Sequence, residues 1–289
     1  MPRRVLMLVN PTKPAAAAAA AHARPTIERL GKLIGEYPAD SAPLPETAKS
    51  AQLIVVFGGD GTILSQARRC LDIPAPLLGV DVGRLGFLAE FDLAALEAQA
   101  PLIFGKGPLD TDVLGFVRVR IFGPRGAVRF SGMAMNDAVV TAGPPYRLIA
   151  LSICIDGQEV PSVRGDGLIV STSVGSTAYN MAAGGPILAP RVDGVAITPI
   201  APQSLSFRPV VVPSSSRVEL RVTKANREPD GSGTTLVLDG QISEPVNAGD
   251  RIVIDRHDAT VRLVRNPISG YWARLTSKLQ WAASPRLDG

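Results

Sequence analysis

The chain has 289 residues, 46% of them hydrophobic and 19% charged, with a net charge of +4 and a pI near 9.3. That composition builds a sizeable core, excludes global disorder, and with 5% aromatics and scattered basic residues argues against a stacking platform for nucleic acid. Cys70 and Cys154 lie far apart and only two histidines accompany them, so neither a disulfide framework nor a zinc set is expected.

The first third alternates strand and helix patterns. Met1-Pro2-Arg3-Arg4 leads into the strand Val5–Val9, which is too short for a secretory apolar core. No apolar run approaches the ~18 residues of a membrane span, and a cytoplasmic protein without membrane contact is expected. Ala15–Ala21 reads as a solvated helix that Pro25 ends or kinks, and Thr26–Gly35 as a second helical pattern. Leu53–Phe57 and Leu77–Val80 are further strands, giving the βαβ rhythm of a parallel, Rossmann-like sheet.

Between Leu53–Phe57 and the helical pattern Ile63–Arg69 stands Gly58-Gly59-Asp60-Gly61-Thr62. A strand, a glycine turn and a helix start point several backbone amides outward, which suits an anion and phosphate above all. Asp60 is the odd residue there, because a carboxylate repels a bare phosphate. It must serve a metal, a hydroxyl or the helix cap.

The texture changes near Ile103–Pro108. Beyond it, Val117–Ile121, Arg217–Val222 and Thr260–Val264 alternate apolar and polar positions, as in an antiparallel sandwich or barrel with a solvated arginine face. Met135-Asn136-Asp137 offers a pair able to clasp a diol, or only an Asx-turn. Arg164–Leu188 is long, rich in glycine and hydroxyls, and punctuated like a ligand wall, with Gly175–Tyr179 opening a helix. In the tail, Gly270–Leu279 is helical in pattern, with Trp272, Leu275 and Leu279 on one face. P-loop, dinucleotide-fingerprint and nucleophile-elbow motifs are missing, and His22 and His257 have no nucleophile beside them.

FGGDGT, MNDAVV, GDGLIVSTSVGSTAYNMAAGGPIL, SLSFRPVVVP and LDGQ, in that order, resemble the NAD kinases. The resemblance extends from Val9-Asn10-Pro11 to Trp281. It implies phosphorylation of the 2′-hydroxyl of the adenosine ribose of NAD, with ATP or polyphosphate as donor and Mg²⁺ as cofactor. It also implies an α/β domain over residues 1–107, a β-sandwich domain over 108–266 and a C-terminal helical segment, 267–289, returning to the first domain. The family's active site lies between the domains, and its members form homo-oligomers, here a dimer or tetramer.

Carried over by motif, Asp60 orients and deprotonates the acceptor hydroxyl, and Gly58, Gly59, Gly61 and Thr62 bind phosphate. Asn136 and Asp137 hold the nicotinamide-side ribose, Asp166 contacts the nicotinamide end, and Thr177, Ala178 and Tyr179 shape the adenine pocket. No protein residue is assigned to the metal. The chain departs from the common pattern at Ser173-Val174, at Asp137 in place of glutamate and at Gln203. Two alternatives are a lipid or small-alcohol kinase sharing the GGDGT architecture, which would leave Asn136-Asp137 unexplained, and a non-catalytic dinucleotide-binding regulator, for which Asp60 has little use.

Overall fold

A computed structural model describes residues 2–83 and 86–281. The last eight residues of the expected tail segment therefore lie outside the described residues. The chain forms two compact units: residues up to Val113 together with the chain from Val261, and Leu114–Thr260.

The first unit contains β1 (Arg4–Val9), α1 (Pro14–Leu30), β2 (Lys32–Pro38), β3 (Leu53–Phe57), α2 (Asp60–Arg69), β4 (Leu77–Val80), α3 (Leu93–Ala98) and α4 (Ala100–Phe104). Its strands run in the order β2-β1-β3-β4, all parallel. β3 and β4 are buried along their whole length, as a sheet covered on both faces requires. The core joins Val5, Met7, Leu53, Val55 and Phe57 to Ile27 of α1 and Phe104 of α4.

Two helix expectations are corrected. α1 continues through Pro25 to Leu30, and its alanines are only partly solvated: Ala16, Ala20, Ala23 and Ile27 form a buried stripe against the sheet. Packing of that stripe outweighs the hydrogen bond that Pro25 removes. Lys32–Pro38 is no helix but the edge strand β2, recruited by parallel pairing with β1. A helical pattern yields where a neighbouring strand offers unpaired backbone.

The second unit holds β5 (Thr111–Phe122, entering it at Leu114), β6 (Val128–Ala134), β7 (Asp137–Thr141), β8 (Ile149–Ile155), β9 (Gln158–Gly165), β10 (Gly167–Thr172), the one-turn α5 (Tyr179–Ala182), β11 (Gly194–Ile200), β12 (Val210–Pro213), β13 (Val218–Lys224), β14 (Thr235–Leu238), β15 (Ile242–Pro245) and most of β16 (Arg251–Val264). One sheet has the order β12-β11-β10-β7-β14-β15; β16-β13-β8-β9 and the β5-β6 pair form the other. Their inward residues, among them Val119, Val140, Leu168, Leu220 and Ile252, make one sandwich core. The arginine face is solvated and paired: Arg118 and Arg120 both bind Asp255, and Arg251 binds Glu219.

β16 leaves the second unit near Val261, and Leu263 pairs in parallel with Leu77 of β4. The final helix, α6 (Tyr271–Leu279), belongs to the first unit. Here the expected apolar face is corrected. Leu275 is buried, but Trp272 is 62% exposed, and the second buried position is Arg274.

Candidate active site

In the first unit the strand order reverses between β1 and β3, and the carboxyl ends of such strands are where open α/β sheets bind ligands. There the segment after β1 meets the glycine turn after β3. The Asn10 amide N–H donates to the Phe57 carbonyl (3.0 Å), and Asn10 Nδ2 donates to Thr62 Oγ1 (2.8 Å). Gly58 N–H donates to the Val80 carbonyl, joining the turn to the end of β4. Gly59 precedes α2 in extended backbone, so the start of this ten-residue helix directs its amides and positive dipole end at the turn.

Asp60, the first residue of α2, turns its carboxylate toward the segment after β4. Oδ2 accepts the N–H of Phe87 (2.8 Å); Oδ1 accepts those of Leu88 (3.1 Å) and Ala89 (3.0 Å). Gly86 permits this grip, because a Cβ there would stand 1.7 Å from Asp60 Oδ1. A carboxylate offers about four acceptor sites, so three amides leave one, on Oδ2.

Sequence reasoning missed two groups at this turn. Lys13, at the start of α1, has its ammonium 3.5 Å from the point a Cβ on Gly59 would occupy, and Asp81, after β4, has Oδ1 3.9 Å from it. Lys13 makes no ion pair within 4.0 Å among the described residues. Asp81 is buried; its carboxyl is raised above the ordinary value by desolvation, with the charge of Asp60 acting in the same sense. Each follows an apolar strand of the parallel sheet, and that position was the available signal.

The second unit gathers the other residues. A cavity of about 360 Å³ is lined by Asn136, Asp137, Ala178, Tyr179 and Asp239, with Val139, Thr141, Val237 and Gly240. Asp239, in the LDGQ segment, organises its floor: Oδ1 accepts the N–H of Asn136 (2.7 Å) and Asp137 (3.2 Å), and Oδ2 that of Met135 (3.0 Å). Gly175 brings the following turn against Asn136, since a Cβ there would lie 2.1 Å from the Asn136 carbonyl oxygen. That approach delivers Ala178 and Tyr179 to the cavity. Thr177, in a short 3-10 turn, and Asp166, exposed between β9 and β10, lie outside the lining.

Among the described residues, two polar groups in this cavity have no hydrogen-bond partner. Asn136 Oδ1 is buried without a hydrogen bond. The Asp137 carboxyl, 4% exposed, accepts none from the described residues. Burial pushes its pKa up to about 7, and the nearby charge of Asp239 adds to the effect. Unsatisfied acceptors lining a cavity suit a ligand that carries hydroxyl donors.

Among the described residues no group of three or more His, Cys, Asp or Glu side chains is placed to hold a metal. Mg²⁺ arriving with a nucleotide needs less, one or two carboxylates completed by phosphates and water. Asp81 meets that need, because its Oδ2 is buried beside the phosphate turn with no hydrogen-bond partner among the described residues.

Comparison with known proteins is consistent along the chain. Family models described as the ATP-NAD kinase N-terminal and C-terminal domains match residues 32–107 and 135–266. An NAD kinase of Magnetococcus marinus is 38% identical over 240 residues, 83% of this chain and 77% of that protein. One of Azoarcus sp. is 38% identical over 246 residues, 85% and 81%. An Archaeoglobus fulgidus NAD kinase solved in complex with ATP superimposes with a TM-score of 0.70 at 25% identity, covering 96% of this chain and 98% of that one. A yeast NADH kinase complexed with NADH shares the fold, with a TM-score of 0.80 at 23% identity over 100% of this chain and 90% of that one.

Proposed function

The chain belongs to the NAD kinase family, and from that premise we propose how its residues share the phosphorylation of NAD by ATP. Gly58, Gly59, Gly61 and Thr62, with the start of α2, take the phosphates of the donor, and Lys13 adds a point charge beside them. Asp60 receives the acceptor hydroxyl, the 2′-hydroxyl of the adenosine ribose, on the acceptor site its three amide bonds leave. As the hydroxyl oxygen bonds to the γ-phosphorus, the bond from that phosphorus to the bridging oxygen of the departing ADP breaks and Asp60 takes the proton. Mg²⁺ held near Asp81 would supply charge neutralisation on the transferred group.

In the second unit, Asn136 and Asp137 hold the nicotinamide-side ribose diol. Ala178 and Tyr179, with Thr177, form the adenine wall, and Asp166 contacts the nicotinamide end. Homo-oligomeric assembly as a dimer or tetramer, cytoplasmic residence and polyphosphate as a second donor belong to the same proposal and rest on the family resemblance alone.

The observation that carries the reading is a carboxylate, Asp60, held by three amides beside a phosphate turn. A module that only binds phosphate gains nothing from an anion there. The cavity of about 360 Å³ presents acceptors, Asn136 Oδ1 and the Asp137 carboxyl, that the hydroxyls of a ribose satisfy and the apolar tail of a lipid acceptor does not.

The test incubates the purified protein with NAD, Mg²⁺ and either ATP or polyphosphate and reads NADP with an NADP-specific dehydrogenase. ATP is expected to give NADP; Asp60→Asn is expected to abolish turnover and leave NAD affinity within about tenfold, ~1.4 kcal/mol. Near-normal turnover of that variant removes Asp60 as the base. Intact NAD binding without NADP from either donor returns the protein to a regulator.

A further inference from the structure

Asp81 has no role in the assignments carried over by motif, and its surroundings are unusual for a structural aspartate. It is 8% exposed. Its backbone N–H donates to the Phe91 carbonyl (2.7 Å), which fixes the residue at the end of β4. Oδ1 accepts the N–H of Gly83 (3.1 Å), and the Val82 backbone and the Lys278 charge also favour the ionised carboxyl. Oδ2 is buried and has no hydrogen-bond partner among the described residues. A buried carboxylate oxygen without a donor is costly, and such a group calls for an ion, a water or a ligand that completes it.

The place is equally specific. Gly59 opens the phosphate turn, and the position a side chain on it would take has Asp81 Oδ1 3.9 Å away and the Lys13 ammonium 3.5 Å away. Both groups flank the backbone that would cradle phosphates. A carboxylate facing phosphate is repulsive unless a cation lies between them. Asp60 is poorly placed to provide that bridge, since three of its acceptor sites are taken by Phe87, Leu88 and Ala89. Asp81 has the open oxygen and Asp60 the anchored one.

We propose that Asp81 is the protein ligand of a divalent cation of the Mg²⁺ class, held between its open oxygen and the donor phosphates on the Gly58–Thr62 turn, while Lys13 contacts those phosphates directly. The two roles follow from the two head groups. A hard divalent ion takes carboxylate and phosphate oxygens together, whereas an ammonium acts on phosphate as a point charge. The inference rests on the phosphoryl-transfer reading for the presence of phosphates at the turn, but its test is independent of NADP formation.

The test titrates the full chain with Mn²⁺ in the presence of ATP and the absence of NAD, and follows bound Mn²⁺ by electron paramagnetic resonance. Wild type is expected to hold Mn²⁺ in the ATP complex and to release it to excess Mg²⁺. Asp81→Asn keeps the acceptor for Gly83 and is expected to weaken Mn²⁺ binding in that complex by tenfold or more, with NAD affinity unchanged. Lys13→Met is expected to weaken ATP at least as much whether or not Mn²⁺ is present. Should Asp81→Asn not fold, Asp81→Ser serves as the second variant.

Mn²⁺ held by the Asp81 variants as tightly as by wild type overturns the inference and assigns a water to the open oxygen. Loss of Mn²⁺ in Asp60→Asn with retention in Asp81→Asn also overturns it. A wild-type protein that binds Mn²⁺ with ATP yet makes no NADP upholds the cation site while overturning the kinase reading.

Discussion

Asp137 stands where two demands conflict. Its carboxyl is buried, near the charge of Asp239, and its pKa is pushed up to about 7, so folding without ligand favours the neutral acid. Clasping a ribose diol favours the ionised form, which accepts two O–H bonds where the acid is also a donor. A carboxyl whose pKa is raised from 3.8 to about 7 in the native state leaves stability fully present below pH ~4 and lost as pH rises through about 7. One pKa unit is worth about 1.4 kcal/mol, so the cost at pH 8 is on the order of 4 kcal/mol. Asp137→Asn is therefore expected to raise the melting temperature of the ligand-free protein at pH 8 and leave it nearly unchanged at pH 4, where the carboxyl is largely protonated in both states. The same variant is expected to weaken NAD binding at pH 8. Parallel melting curves at both pH values would show that Asp137 carries no buried charge. The sequence pointed to Asn136-Asp137 as a diol clasp, but not to Asp239 as the residue that shapes its backbone. That relation joins positions 102–104 residues apart and has no local pattern.

At the scale of elements, α6 shows what periodicity can and cannot report. The helix was legible from its pattern, as were β3 and β4, whose unbroken apolar runs admit only burial on both faces. Its packing face was not. Apolar spacing selects Trp272, whereas the structure buries Arg274, because the partner is a carboxylate on another segment. Glu90 Oε1 accepts Arg274 Nη2 (2.5 Å), Glu90 Oε2 accepts the Asn266 N–H (2.7 Å), and Asn266 Nδ2 donates to the Glu90 carbonyl (3.0 Å). β2 failed for a similar reason, since its strand form depends on β1 rather than on Lys32–Pro38 alone. The Glu90–Arg274 pair immediately follows the three amides that hold Asp60, and α6 also packs Tyr271 and Lys278 against Phe87. Arg274→Met strands a buried carboxylate already raised by desolvation, at a cost of about 3 kcal/mol or more. The expected result is a lower melting temperature and a lower kcat with KM for NAD little changed. Adding Glu90→Gln removes the stranded charge and should recover most of the stability. A single variant that melts like wild type would mean the pair contributes little and that Asp60 is positioned without α6.

At the scale of the whole molecule, the candidate residues fall into two sets on separately packed units. The proposed donor set, Asn10 to Lys13, Gly58, Gly59, Gly61, Thr62 and Asp81, sits on the parallel sheet together with Asp60, proposed to meet the acceptor hydroxyl; the rest of the proposed acceptor set, Asn136, Asp137, Ala178, Tyr179 and Asp239, sits on the sandwich. Each set is built by contacts inside its own unit, so each substrate should leave its own footprint in amide exchange. Local openings dominate exchange in turns and loops, and a ligand at a hundred times its Kd suppresses openings that release it by about 2.7 kcal/mol, roughly a hundredfold in rate. With ATP and Mg²⁺ alone, protection is expected at residues 10–13 and 58–62 and not at 135–137. With NAD alone, it is expected at 135–137 and 175–179, where the amides of Asn136 and Asp137 already rest on Asp239 and a bound ribose would hold them there. NAD that protects only the glycine turn would place the acceptor on the parallel sheet and separate Asn136 and Asp137 from substrate binding. Protection at both sets by either ligand alone would instead mean that each nucleotide occupies both sites in the absence of the other, so that binding by itself does not distinguish donor from acceptor and Asp60 alone determines which hydroxyl is phosphorylated.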